Sequence, residues 1–193
     1  FVMLGEVDND ILLMKSNRYG DMEWQQSFGG SQMDIASHIE QASDGGFIIS
    51  ATTESYGQGG KDIWLFKTSS SGLIEWNKYI GTPYDDYSGQ VLETDDGGFI
   101  LIGSRGSSDQ NDNDIWLIKT NSQGDSSWTR SYGGNQFDRG NDILADDQGG
   151  FILLGSTESQ GNGGKDIWLL KVDEDGNDQW NNTYGNGSDD IGQ

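Results

Sequence analysis

Cysteine is absent from the 193 residues, which excludes a disulfide framework and zinc held by thiolates. Histidine occurs once, as His38, so metal hydrolysis through several histidines is excluded by count. Basic residues are scarce: 11 Lys and Arg against 32 Asp and Glu leave a net charge of −21. Nucleic-acid surfaces draw most of their affinity from clustered Lys and Arg, so neither DNA nor RNA is an expected partner. An anionic lipid surface repels the same charge. No run approaches about 18 apolar residues, so no membrane insertion is expected. The opening Phe1-Val2-Met3-Leu4-Gly5 does not read as a signal peptide, because it lacks a basic flank and sufficient length. Proline occurs once, at Pro83, against 30 glycines, a balance that favours many tight turns over a stiff linker.

What is present outweighs what is missing. A mean hydropathy of −0.68 and the high charge lean towards disorder. Seven Trp, seven Tyr and seven Phe point the other way, and the order of residues decides for a fold. Asp10, Asp62, Asp114 and Asp166 stand 52 residues apart. Lys15, Lys67, Lys119 and Lys171 keep the same step, as do Gly20, Gly72, Gly124 and Gly176. Trp24, Trp76, Trp128 and Trp180 follow it, and Gly29 and Asp34 each recur three more times. Such a period is the signature of a repeat architecture.

Each repeat reads as four short strands. In the third unit a strand with a polar start, Gly140 to Asp146, meets a turn at Asp147-Gln148-Gly149-Gly150. The counterparts Asp44-Gly45 and Asp96-Gly97 are pairs favoured in hairpins, where positive φ is cheap. Phe151-Ile152-Leu153-Leu154-Gly155 is a near-continuous apolar run, expected of a strand buried on both faces. After a Gly-rich loop come Asp166-Ile167-Trp168-Leu169-Leu170-Lys171, a turn at Gly176, and a last strand around Trp180. The expected fold is therefore all-β: a β-propeller of four-stranded antiparallel blades with about four blades, three complete and one partial.

The stretch Gly150 to Ser156, then Asp166 to Gly176, then Trp180, resembles the PQQ-like (quinoprotein) propeller blade. The wording Asp-Gly-Gly-Phe, Asp-Ile-Trp-Leu and Tyr-Gly-Gly also resembles the secreted propeller-repeat proteins of bacterial and archaeal surfaces. That resemblance covers the whole chain and implies an extracellular or cell-surface location. It does not carry a quinoprotein activity across. The chain is too short for the larger rings of those enzymes, and its periodic residues match turns and packing rather than a quinone or calcium pocket.

By register Phe1 is level with Phe47, Phe99 and Phe151, so the chain begins at the second strand of a blade. The units are residues 1–33, 34–85, 86–137 and 138–189 of a single domain, with 190–193 starting a next blade or closing the ring. The preferred expectation is a segment of a larger ring. An open blade edge then offers self-association through strand pairing.

Residues shared by every repeat are expected to serve the blade. Asp62 and its counterparts should accept backbone N–H groups, Lys67 should pair with the Asp86-type carboxylate, and Trp76 and its counterparts should pack between blades. Trp64, Trp116 and Trp168, replaced by Leu12 in the first repeat, are packing residues or, alternatively, aromatic platforms for sugars. The loops 6–9, 52–61, 105–113 and 157–165 differ most and are the expected place for function. Asp109, Asn111 and Asn113 alternate oxygen ligands as in a calcium loop, although Gly and Glu are missing at the sixth and twelfth positions. Asp173 to Asp178 is read instead as a solvated acidic turn. Apart from calcium at that one loop, no cofactor is expected.

No nucleophile elbow, phosphate loop or singled-out carboxylate pair accompanies His38, so no catalytic residue is assigned. The expected function is a non-enzymatic extracellular or cell-surface scaffold that binds protein or glycan partners. A multivalent carbohydrate-binding lectin is the first alternative. A hydrolase with catalytic carboxylates in the variable loops is the second.

Overall fold

The computed structural model describes residues 1–108, 112–147 and 149–190. Their regular structure is all β, in four antiparallel sheets that follow chain order. The first sheet holds β1 (Val2–Val7), β2 (Asp10–Ser16) and β3 (Met22–Phe28). The second holds β4 (Asp34–Gln41), β5 (Phe47–Thr53), β6 (Asp62–Thr68) and β7 (Ile74–Ile80). The third holds β8 (Tyr87–Glu93), β9 (Phe99–Arg105), β10 (Asp114–Thr120) and β11 (Ser126–Tyr132). The fourth holds β12 (Asp138–Ala145), β13 (Phe151–Thr157), β14 (Asp166–Val172) and β15 (Asp178–Tyr184). Val2 pairs with Lys15 as Ile48 pairs with Lys67, so β1 is indeed the counterpart of a second strand. The short first loop is a two-residue turn, with Asp8 and Asn9 both at positive φ.

Alternation along the strands explains the core. In β6, Ile63 and Leu65 point to one side, Trp64 and Phe66 to the other. Ile11 and Leu13 of the first sheet pack on Phe47, Ile49, Trp64 and Phe66 of the second. Ile48, Ile63 and Leu65 of the second pack on Phe99, Leu101, Trp116 and Ile118 of the third. Ile100, Ile102, Ile115 and Leu117 of the third pack on Phe151, Leu153, Trp168 and Leu170 of the fourth. Each cluster is thus shared by two consecutive sheets, and β5 and β6 are buried at every residue. That double burial is why the runs are continuously apolar.

The ends of the array differ from its middle. Ile152, Leu154, Ile167 and Leu169 stay half-buried, although their counterparts Ile100, Ile102, Ile115 and Leu117 are fully buried. At the other end Phe1 and Met3 are 76% and 43% exposed.

The recurrent tryptophans join sheets as expected. Gly72, Gly124 and Gly176 turn at φ +80°, +77° and +77°, and a Cβ there would press on Trp24, Trp76 and Trp128 at 2.7, 2.5 and 2.9 Å. Each ring of one sheet therefore lies on a turn of the next. Trp180 has no such turn among the described residues and is 40% exposed.

The lysine expectation is corrected. Lys67 pairs with Asp44 and with Glu75 at 2.6 Å, Lys119 with Asp96 at 2.8 Å, Lys171 with Asp146, and Lys15 with Glu23 at 3.4 Å. The reason is strand direction. Lys67 lies five residues, roughly 16 Å, along β6 from the end where Asp86 sits.

Candidate functional site

β4, β8 and β12 open the second, third and fourth sheets and come together in one cleft of about 400 Å³. Each carries a β-bulge at the same step of the repeat. Pairing shifts between Ala36 and His38, between Ser88 and Val91, and between Gly140 and Asp142. A bulge leaves a residue unpaired and re-aims its neighbours, which is why bulges recur beside binding sites. Here the bulges turn non-repeating polar residues into the cleft. His38, Gln90 and Asp142 occupy one repeat position; Ile35, Tyr87 and Arg139 occupy another. All of these except Tyr87 line the cleft, with Ser37, Ser88 and Asn141 between them.

The freed backbone groups are satisfied across sheets. Gln90 Oε1 accepts the Ile143 N–H at 2.7 Å. Ser37 Oγ donates to the Ser88 carbonyl at 3.1 Å, and Ser50 Oγ to the Gly89 carbonyl at 2.6 Å. These bonds lock the cleft walls. His38 Nδ1 is buried and has no partner. Burial pushes the His38 pKa below its ordinary value, against the opposing pulls of Asp142 and of a hydrogen bond to Val91. The ring is therefore neutral near pH 7. Arg139 is exposed and takes part in none of the ion pairs between described residues. The cleft thus offers a guanidinium, a neutral imidazole, a carboxylate and an amide to a polar molecule.

The residues singled out in the sequence lie elsewhere. Trp64, Trp116 and Trp168 are only 3%, 7% and 2% exposed and belong to the inter-sheet clusters. A sugar platform needs an open ring face, and these rings spend theirs on packing. Tyr56 and Tyr79 add to Trp64, with ring centroids 5.7 Å from it. Of the calcium candidates, Asp109 and Asn111 lie outside the described residues. Asn113 is 5% exposed, and its carbonyl accepts the Asp138 N–H at 2.6 Å. Among the described residues no three His, Asp or Glu side chains gather as a metal cluster. In the acidic turn, Asp173 Oδ1 accepts the N–H groups of Asp175 and Asn177 at 3.0 and 2.8 Å, as a hairpin turn does.

The two near-identical loops do one structural job. Ser55 Oγ donates to Asp34 Oδ2 at 2.8 Å, and Ser159 Oγ to Asp138 Oδ2 at 2.7 Å. Where the third loop departs from them, the Gly106 N–H serves Asp86 Oδ1 at 2.8 Å instead. Sequence reasoning placed function in these loops and passed over the cleft. The available signal was polar variation at positions 38, 90 and 142 inside otherwise repeating strands.

No protein-family model and no curated protein matches the chain.

Proposed function

We propose that the chain is a non-enzymatic binding scaffold, an array of β-propeller blades that holds a small polar ligand in the cleft between β4, β8 and β12. The observation that carries this reading is the coincidence of three bulges with a non-repeating polar set, His38, Gln90 and Asp142, at one step of β4, β8 and β12. The propeller arrangement is supported by the four-strand sheets, their serial packing and the 52-residue period. Placement outside the cell rests on the resemblance of the repeat wording, with an acidic surface that keeps such a protein soluble.

Amide chemical-shift mapping with sugars, sugar acids and amino acids tests the reading. Ligands should move residues 35–38, 88–90 and 139–142 together, and Arg139→Ala should weaken binding at least about tenfold. Responses confined to the loops or to the end sheets would overturn it.

A second reading is favoured by the two unfinished end faces. Ile152, Leu154, Ile167 and Leu169 are the kind of face that three internal junctions cover with Phe, Leu and Trp from a neighbouring sheet. A further blade-like sheet, from a second copy or from the same type of repeat, fits there.

A further inference from the structure

A pair of carboxylates meets at every step between sheets. Asp62 opens β6 in the second sheet, and Asp86 stands just before β8 in the third. A Cβ on Gly81 would collide with Asp62 Oδ1 and stand 3.1 Å from Asp86 Oδ2, so one missing methyl group marks where both oxygens converge. The pattern repeats around Gly133, where Asp114 Oδ1 fills the space and Asp138 Oδ2 lies 2.8 Å from it. Asp62, Asp86 and Asp138 are 1%, 0% and 0% exposed.

The two members of a pair are served unequally. Asp86 accepts N–H groups from Thr82 and Gly106, and Asp138 Oδ2 accepts Gly134 N–H and Ser159 Oγ. The backbone N–H of Gln58 serves Asp62, while Oδ1 of Asp62, of Asp114 and of Asp138 stays buried without a partner among the described residues. The counterpart Asp166 is served in the same way: its Oδ2 accepts the Asn162 N–H at 2.8 Å, and its Oδ1 is buried without a partner among the described residues. Burial raises the pKa of Asp62 against the pull of the Gln58 backbone hydrogen bond, and Asp86 and Asp85 raise it further.

Charge from the chain cannot make up the deficit. All seven lysines are paired with other carboxylates. Arg18, Arg105 and Arg130 lie over aromatic rings. Arg105 is the one cation felt by Asp86 and Asp114, and it makes no ion pair with either among the described residues. A buried carboxylate oxygen with neither a hydrogen bond nor an ion-paired counter-charge is costly unless something outside the chain supplies them.

We infer that a divalent cation of calcium type bridges Asp62 and Asp86 between the second and third sheets, and that the Asp114–Asp138 pair repeats the site at the next junction. Two oxygens that share a Ca²⁺ at about 2.3–2.6 Å lie within ~5 Å of each other, a span that oxygens crowding one methyl position meet. Two carboxylates supply up to four of the roughly 6–8 oxygens calcium takes, so main-chain carbonyls and water complete the shell. A recess of about 410 Å³ lined by Gly81, Arg105, Gly106 and Asp114 gives water and ion a way in, past a guanidinium turned onto the Trp116 ring. Few protein ligands imply modest affinity, about 10⁻⁴–10⁻³ M. The site ties one sheet to the next at a place where the chain's own electrostatics push them apart.

Calcium chloride is the probe, with magnesium chloride and EDTA for comparison. At pH 7.5 about 10 mM Ca²⁺ should raise Tm by several degrees, EDTA should reverse the rise, and Mg²⁺ should give less. Native mass spectrometry should retain up to two calcium ions. Asp62→Asn should lose one of them and part of the Tm response, and adding Asp114→Asn should lose the rest. Asp21→Asn, at an exposed turn, should lose neither and controls for loose binding to an acidic surface. Circular dichroism at 20 °C verifies that the variants fold. Equal calcium response in wild type and the double variant, or no retained ion and no Tm shift, overturns the inference. A proton shared by each pair would then account for the buried oxygens.

Discussion

Gly72 and Gly45 both turn at positive φ, +80° and +85°, but their surroundings differ. A Cβ on Gly45 meets nothing within 4 Å, whereas one on Gly72 meets Trp24 at 2.7 Å. Gly45→Ala should therefore cost only the left-handed backbone penalty, about 1–2 kcal/mol. Gly72→Ala should cost about 1–3 kcal/mol more, because Trp24 has to move off the turn. Urea unfolding of the two variants measures the difference, and equal losses would mean that the ring–turn contact contributes nothing. The recurrence of Gly72 and Trp24 at one period was legible in the sequence, as were the turn at the glycine and the packing of the tryptophan, but not that one lies on the other. The partner of Lys67 was not. A periodic lysine and a periodic aspartate suggest a pair, but only strand direction shows that they lie at opposite ends of the sheet.

At the scale of the strand, Leu117 and Leu169 occupy the same repeat position with different neighbours. Leu117 is fully buried between the third and fourth sheets, while Leu169 is half-buried on the uncovered face of the fourth. Leu117→Ala should cost about 2–5 kcal/mol, and Leu169→Ala under about half of that, by denaturant unfolding at low concentration. If the uncovered face takes a second copy, light scattering should show mass rising with concentration in the wild type and not in Leu169→Asp. The strand pattern was readable because apolar period, turn glycine and Asp-Gly pairs agree in every repeat. The cleft was not readable in the same way. It depends on bulges, which are a matter of pairing register, and on residues from three repeats that no local window contains.

For the whole molecule, a net charge of −21 sets the response to solvent. Repulsion among carboxylates weakens the compact state and is screened by salt, so raising NaCl from about 20 to 500 mM should raise Tm. The pH response has two limbs. Asp62, Asp86 and Asp114 have folded pKa values raised chiefly by burial. Their contribution is present below the ordinary carboxylate pKa and is lost as pH rises through the folded value. Asp44 and Asp96 are lowered chiefly by hydrogen bonds from Lys67 and Lys119. Theirs is present above the ordinary value and is lost as pH falls through the lowered one. Without divalent ions the protein should be most stable near the ordinary carboxylate pKa, about pH 4, and thermal scans from pH 3 to 8 should show the decline on both sides.

The serial packing of the sheets bears on how such a chain can change its length. Every cluster joins one sheet to the next, with the Ile-Leu side of one strand always meeting the Phe-Trp side of its successor. A unit copied in the gene and inserted anywhere along the array presents both sides in the right order. Duplication or loss of one repeat therefore leaves each remaining contact of a kind already tried, and lineages are free to vary the number of units before any side chain has to adapt. The same freedom explains where novelty can collect: on β4, β8 and β12 at positions 35, 38 and their counterparts, where copies diverge in polarity while the shared clusters hold them in place.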